Sequence, residues 1–160
     1  MKVAIVMGSK SDYPVVSKAE EILKKFGVKY ETRIISAHRT PGMAAEFARS
    51  AEKNEIEVII AAAGKAAHLA GVLASLTPLP VIGIPMKSST LDGLDSLLST
   101  VQMPKGVPVA TVAVDGAENA ALLAVQMLGI KYPKLREAVA NYKVEMEQDI
   151  RELDCEFRNR

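Results

Sequence analysis

Tryptophan is absent from this 160-residue chain, and aromatic residues make up only 4% of it. That scarcity argues against a flavin site walled by large rings and against the stacking platforms that hold single-stranded nucleic acid. Cysteine occurs once, as Cys155, so no internal disulfide can form, and a reducing compartment, the cytoplasm, is expected. Net charge is nearly absent: 20 Lys and Arg stand against 19 Asp and Glu. Nothing in that balance favours long polyanions, so no nucleic-acid partner is expected. Two histidines and one cysteine, without paired-cysteine or His-x-Glu spacing, predict no metal. There is no Gly-Lys-Ser/Thr phosphate loop. No acidic cluster follows the first apolar run, and Gly64 rather than an aspartate closes the third, which excludes a phospho-receiver domain. The opening run Val3–Met7 is stopped by Gly8, too short for a signal segment or a membrane span. The expectation is a soluble, cytoplasmic protein with no membrane partner.

What is present is alternation. Hydrophobic residues make up 49% of the chain and charged residues 24%, ordinary for a globular domain. At this length folding buries roughly 70% of the unfolded surface, enough for one core without staples. Short apolar runs predict strands at Val3–Met7, Val28–Ile35, Glu57–Ala62, Pro80–Ile84 and Val107–Val114. Between them, apolar residues at helical spacing predict helices. The first carries Val15, Ala19, Ile22, Leu23 and Phe26 on one face and ends at Gly27. The second has Thr40 as N-cap and Pro41 at its first position. Further helices are expected at Ala66–Leu76, Leu94–Val101, Ala117–Leu128 (ended by Gly129) and Pro133–Phe157. The fold class that follows is α/β: a three-layer αβα sandwich with a central parallel sheet, flavodoxin-like or Rossmann-like, as one domain over 1–160.

In such sheets ligands bind outside the carboxyl ends of the strands, so the residues just after each strand are the informative ones. Gly8-Ser9-Lys10-Ser11-Asp12 follows the first. Gly8 permits close backbone approach, the hydroxyls of Ser9 and Ser11 can meet a phosphate near a helix N-terminus, and Asp12 can accept from ribose hydroxyls. Equally, Ser11 and Asp12 could simply cap the helix. Ser36-Ala37-His38-Arg39-Thr40-Pro41 follows the second strand and holds the densest chemistry. Arg39 can fork onto a phosphate, and His38 can move a proton near neutral pH. After the third strand, Ala63, Gly64, Lys65, His68 and Leu69 combine small residues with a cation and the second histidine. For His68 a satisfied core or interface role stands beside a catalytic one. Asn119 reads as a local cap.

Taken in order, Met7-Gly8-Ser9-Lys10-Ser11-Asp12, Ser36-Ala37-His38-Arg39-Thr40-Pro41 and the run Val101–Thr111 resemble the 5-(carboxyamino)imidazole ribonucleotide mutase family of purine biosynthesis. Ala66-Ala67-His68-Leu69 and Asn119–Ala124 extend the resemblance, which spans Lys2 to Tyr132. The resemblance implies an isomerase that moves a carboxylate from the exocyclic nitrogen of a phosphorylated aminoimidazole ribonucleotide to ring carbon four, through bound carbon dioxide, with no cofactor. It implies that Ser9, Ser36 and Arg39 hold the phosphate, Asp12 the ribose, and that His38 shuttles the proton. It implies also that Gly8, Ser11, Ala63, Gly64, Lys65, His68 and Leu69 complete the substrate pocket, Ala63-Gly64 retaining the gas. The pattern departs from the family's at Lys65, where bacterial mutases usually carry glycine. A direct carbon-dioxide-dependent carboxylase and a non-catalytic nucleotide-binding module are the alternative readings.

In the last helix Leu135, Val139, Tyr142, Met146, Ile150 and Leu153 recur at three- and four-residue spacing, with Phe157 beyond. A helix of about 37 Å is longer than so small a domain needs, and its apolar stripe asks for a partner. Packing along its own domain is one solution. The family resemblance implies another: helix 133–157 packs on neighbouring subunits of a homo-octamer.

Overall fold

The computed structural model describes residues 1–89 and 91–159. Five strands form one sheet: β1 (Lys2–Met7), β2 (Lys29–Ile34), β3 (Val58–Gly64), β4 (Val81–Met86) and β5 (Ala110–Thr111). All neighbours run parallel, in the order β2-β1-β3-β4-β5. The helices are α1 (Tyr13–Lys25), α2 (Pro41–Ser50), α3 (Leu69–Ala74), α4 (Leu94–Val101), α5 (Ala117–Lys131) and α6 (Pro133–Arg158), with a 3₁₀ turn at Lys10–Asp12.

Parallel strands buried on both faces need apolar residues at every position, and β3, β4 and, from Val3 onward, β1 have them. The period of two then splits the core. Val3, Ile5, Ile60, Ile82 and Ile84 face α1 and α5, while Ala4, Val6, Ile59, Ala61 and Val81 face α2 and α3. Each fully buried aliphatic side chain, such as Ile5 or Ile60, contributes about 1.5–3 kcal/mol. Gly83 lets α4 approach β4, since a Cβ there would lie 2.4 Å from Thr100 Cγ2. From α4 the buried Ser96 hydroxyl donates to the Met86 carbonyl at 2.7 Å, fixing the end of β4. The expected three-layer α/β fold is the observed one.

Several predicted boundaries differ, each for a local reason. Instead of Val107–Val114, β5 pairs only at Ala110–Thr111. Pro108 has no N–H to give the ladder, and beyond Thr111 only single bonds persist, Val112 N to Gly83 O (3.1 Å) and Asp115 N to Pro85 O (2.9 Å). Instead of Ala66–Leu76, α3 begins at Leu69. Lys65 holds a positive φ of 56°, and tight bonds from Ala67 N to Lys65 O and from His68 N to Ala66 O occupy the residues before the helix. Gly129 does not end α5, which continues to Lys131. Its missing side chain instead lets α6 approach: a Cβ would lie 3.3 Å from Arg136 N. The helix ends at Lys131, because Pro133 disfavours helical backbone at Tyr132 directly ahead of it. Asn119 caps nothing, because Gly116 occupies the N-cap position.

The long α6 divides in two. Leu135 and Val139 are buried against the domain, and Tyr142 meets Phe26 edge-on at 5.7 Å. Beyond that point Met146, Ile150, Leu153 and Phe157 are 41–73% exposed. Packing along its own domain thus accounts for the first half of the helix only. Among the described residues, no helix is long and apolar enough to cross a membrane.

Candidate active site

The chain leaves β1 toward β2 on one side, then crosses back to β3 on the other. That reversal separates the loops after these strands and opens a cleft at their carboxyl ends. A cavity of about 620 Å³ lies there. From β1 it is lined by Gly8, Ser9, Ser11 and Asp12, and from β2 by Ser36, His38 and Arg39. Ala63, Gly64, Lys65 and Leu69 supply the wall after β3. All the predicted site residues but one therefore meet around one space, although 31 positions separate Gly8 from Arg39.

Hydrogen bonds brace these loops. Gly8 N–H donates to Ala62 O (3.0 Å), continuing the β1–β3 ladder past the strand end. Arg39 reaches across to β1: its Nη2 donates to Gly8 O at 3.0 Å and its Nε to Ser36 Oγ at 3.3 Å. The guanidinium is thus held in one orientation with donors to spare. Thr40 occupies the N-cap position of α2 as expected, but its hydroxyl does not cap. It donates to Ser36 O (2.9 Å) and accepts from Ser36 N–H (3.1 Å), closing the loop that carries His38. The capping alternative for the first loop also fails as stated. Ser9 caps the 3₁₀ turn, accepting from Ser11 N–H (3.3 Å) and the Ser11 hydroxyl (2.8 Å), while Asp12 sits at the N-cap of α1 without a side-chain cap bond.

The exception is His68. It does not line this cavity; it lines a neighbouring one of about 480 Å³ with Gln102 and Met103. Its ring nevertheless meets the site, because Nδ1 lies 3.0 Å from His38 Nε2 and the two rings stand edge-to-face. One nitrogen of that pair must carry the proton and the other accept it, so the tautomers of the two histidines are linked.

The residues and their order match a known family. The model of the family described as AIR carboxylase matches residues 2–149. The chain belongs to the AIR carboxylase family. It is 61% identical over 150 residues to the N5-carboxyaminoimidazole ribonucleotide mutase of Pyrococcus horikoshii, covering 94% of this chain and 85% of that one. It is 58% identical to the mutase of Thermotoga maritima, with 94% and 88% covered. The solved structure of Treponema denticola PurE superposes with a TM-score of 0.88 at 30% identity, covering 97% of both chains.

In this member of the family, Met86, Lys87, Ser88 and Ser89 also line the cavity, and sequence reasoning had not chosen them. Their signal was position alone, just after β4. Arg39, Lys65 and Lys87 then set three cations against the one carboxylate of Asp12, a local excess that the near-neutral chain conceals. Among the described residues, no group of three or more His, Cys, Asp or Glu side chains is placed to hold a metal ion.

Burial pushes the Asp12 carboxyl above its ordinary 3.8; hydrogen bonds from Ser11 and the Ser9 backbone oppose this, and the charge of Asp115 adds to it. A carboxyl that holds its proton more tightly when folded loses stability as pH rises through its unfolded value. D12N should therefore raise the Tm at pH 7 by about 1–3 °C, with the gain vanishing below about pH 4. Thermal unfolding across that range checks it; a lower Tm at pH 7 would contradict the assignment.

Proposed function

We infer that the chain interconverts two carboxylated forms of a phosphorylated aminoimidazole ribonucleotide in purine biosynthesis, moving the carboxyl group from the exocyclic nitrogen to ring carbon four. The observation that carries this reading is the cavity itself: one histidine beside three cations, within the family span, in a chain 58–61% identical to relatives that bear the mutase name.

Ser9, Ser36 and Arg39 hold the phosphate, with Gly8 and Ser11 framing it, and Asp12 accepts from the ribose hydroxyls. His38, protonated, donates to the exocyclic nitrogen as the nitrogen–carbon bond breaks and carbon dioxide is released. Ring carbon four then attacks the carbon dioxide, and His38, now neutral, removes the proton that carbon four carries. The histidine ends as it began, and no redox partner is needed. Ala63, Gly64 and Leu69 form a small apolar wall that retains the gas at high effective concentration and keeps water away. His68 fixes the tautomer of His38 through the 3.0 Å contact.

The test is an assay with two substrates. The N-carboxylated ribonucleotide should convert without added bicarbonate. Conversion only of the uncarboxylated ribonucleotide with bicarbonate would make the protein a direct carboxylase, and binding without conversion would make it a nucleotide module.

The finer setting is a cytoplasmic homo-octamer of single-domain chains. Two exposed apolar stripes support assembly: Leu94, Leu98 and Val101 along α4, with Leu91 in the turn before it, and Met146, Ile150, Leu153 and Phe157 along α6. Exchange of the outer half of α6 between subunits covers the second. Truncation after Ile130 would also remove the buried Leu135 and Val139, so substitution is the cleaner probe. I150E with L153E should give a smaller species by light scattering with an unchanged far-UV spectrum; an intact octamer would overturn the exchange.

A further inference from the structure

Lys65 stands out among the cavity residues. Its φ of 56° lies in the left-handed region, where any residue with a Cβ is disfavoured relative to glycine. The strain is enforced from both sides. Ahead of it, Gly64 packs against β4, where a Cβ would already lie 3.4 Å from Met86 Cβ; behind it, Ala67 N–H donates to the Lys65 carbonyl at 2.8 Å. A glycine would sit there without cost. A long cation sits there instead, and it lines the cavity.

The other two cavity cations have protein partners. Arg39 is tied to Gly8 and Ser36, and Lys87 pairs with Asp92 at 3.5 Å. Lys65 has no hydrogen bond or ion pair to a side chain among the described residues. It is also on a different wall: Arg39 and Ser36 follow β2, whereas Lys65 follows β3, beyond the small residues Ala63 and Gly64. The cavity thus offers two separate cationic ends. A ribonucleotide with a carboxylated base is an anion at two ends, phosphate and carboxylate.

We propose that Lys65 is a specificity-determining residue that grips the migrating carboxylate, so that the site holds carboxylated ribonucleotides in preference to the uncarboxylated one. This rests on the mutase reading above. The ammonium meets the carboxylate on the exocyclic nitrogen in one form and on ring carbon four in the other. It has no comparable interaction with the uncharged base. Partition is therefore biased toward completed transfer and away from escape of the intermediate.

The probe is a pair of equilibrium titrations by calorimetry, using the chemically stable carbon-four carboxylate and its uncarboxylated counterpart. K65M should weaken binding of the carboxylate about 10–50-fold and change binding of the uncarboxylated ribonucleotide less than about threefold. K65R should keep most of the discrimination. K65G should lose it as K65M does while unfolding at a higher temperature, since glycine relieves the strained φ. An unchanged ratio of the two affinities in a folded K65M would overturn the proposal. Wild type that binds neither ribonucleotide would instead overturn the mutase reading beneath it.

Discussion

H38N is expected to retain nucleotide binding and to lose interconversion by roughly 10³-fold or more in kcat. A positioned acid or base contributes about 10²–10⁴ to a single proton transfer, and here one imidazole serves two in succession. The substitution is chosen to isolate that role. His38 is exposed on a loop closed by Thr40 and Ser36, so nothing in the core depends on its ring. An asparagine amide reaches only as far as the Nδ1 position of the ring, so it gives up the 3.0 Å contact that Nε2 makes with His68, and it cannot accept and release a proton near neutral pH. The dissociation constant for the carbon-four carboxylate should stay within about threefold, and turnover should fall to the limit of the assay. Turnover within tenfold of wild type would move the proton chemistry to another group. His68 would be the first to examine, being the only other histidine and in direct contact.

R39M should raise KM about 10–100-fold with a much smaller change in kcat. A guanidinium bonded to a phosphate far from the reacting atoms stabilises ground state and transition state alike, which shows in KM. The two protein acceptors of Arg39 are a main-chain carbonyl and a serine hydroxyl, neither of which neutralises it, so its charge is free for an anion. R39K is the informative companion. It keeps the charge but not the planar fork that spans Gly8 O and Ser36 Oγ, and an intermediate KM is expected. A KM for R39M within threefold of wild type would remove Arg39 from the phosphate site. A fall in kcat as large as the rise in KM would instead show that its bridge between the β1 and β2 loops also positions His38.

The two variants probe residues that the chain order already marked. His38 and Arg39 stood out because they followed an apolar run, and a parallel sheet places such residues at one edge. His68 carried the same mark. It follows β3 like Lys65, yet it turns away from the main cavity and touches it only through the ring of His38. No spacing rule predicts a contact between positions 30 residues apart on different loops. Lys87 and Ser88 followed β4 in plain view but brought no motif with them. Only the shared cavity gave them a place in the site.

By itself the sequence determined the layers, the parallel sheet, the pairing of apolar runs with helices and the edge at which chemistry collects. These depend on periodicity and on residue type, and both are local. The tertiary structure decided the rest. It turned Thr40 back on Ser36 instead of capping α2, shortened α3 behind the strained Lys65, and left half of α6 uncovered. It also gathered three cations around one carboxylate in a chain whose net charge is +1. Such features arise when loops distant in sequence compete for the same hydrogen bonds and the same space, and only the folded chain settles that competition.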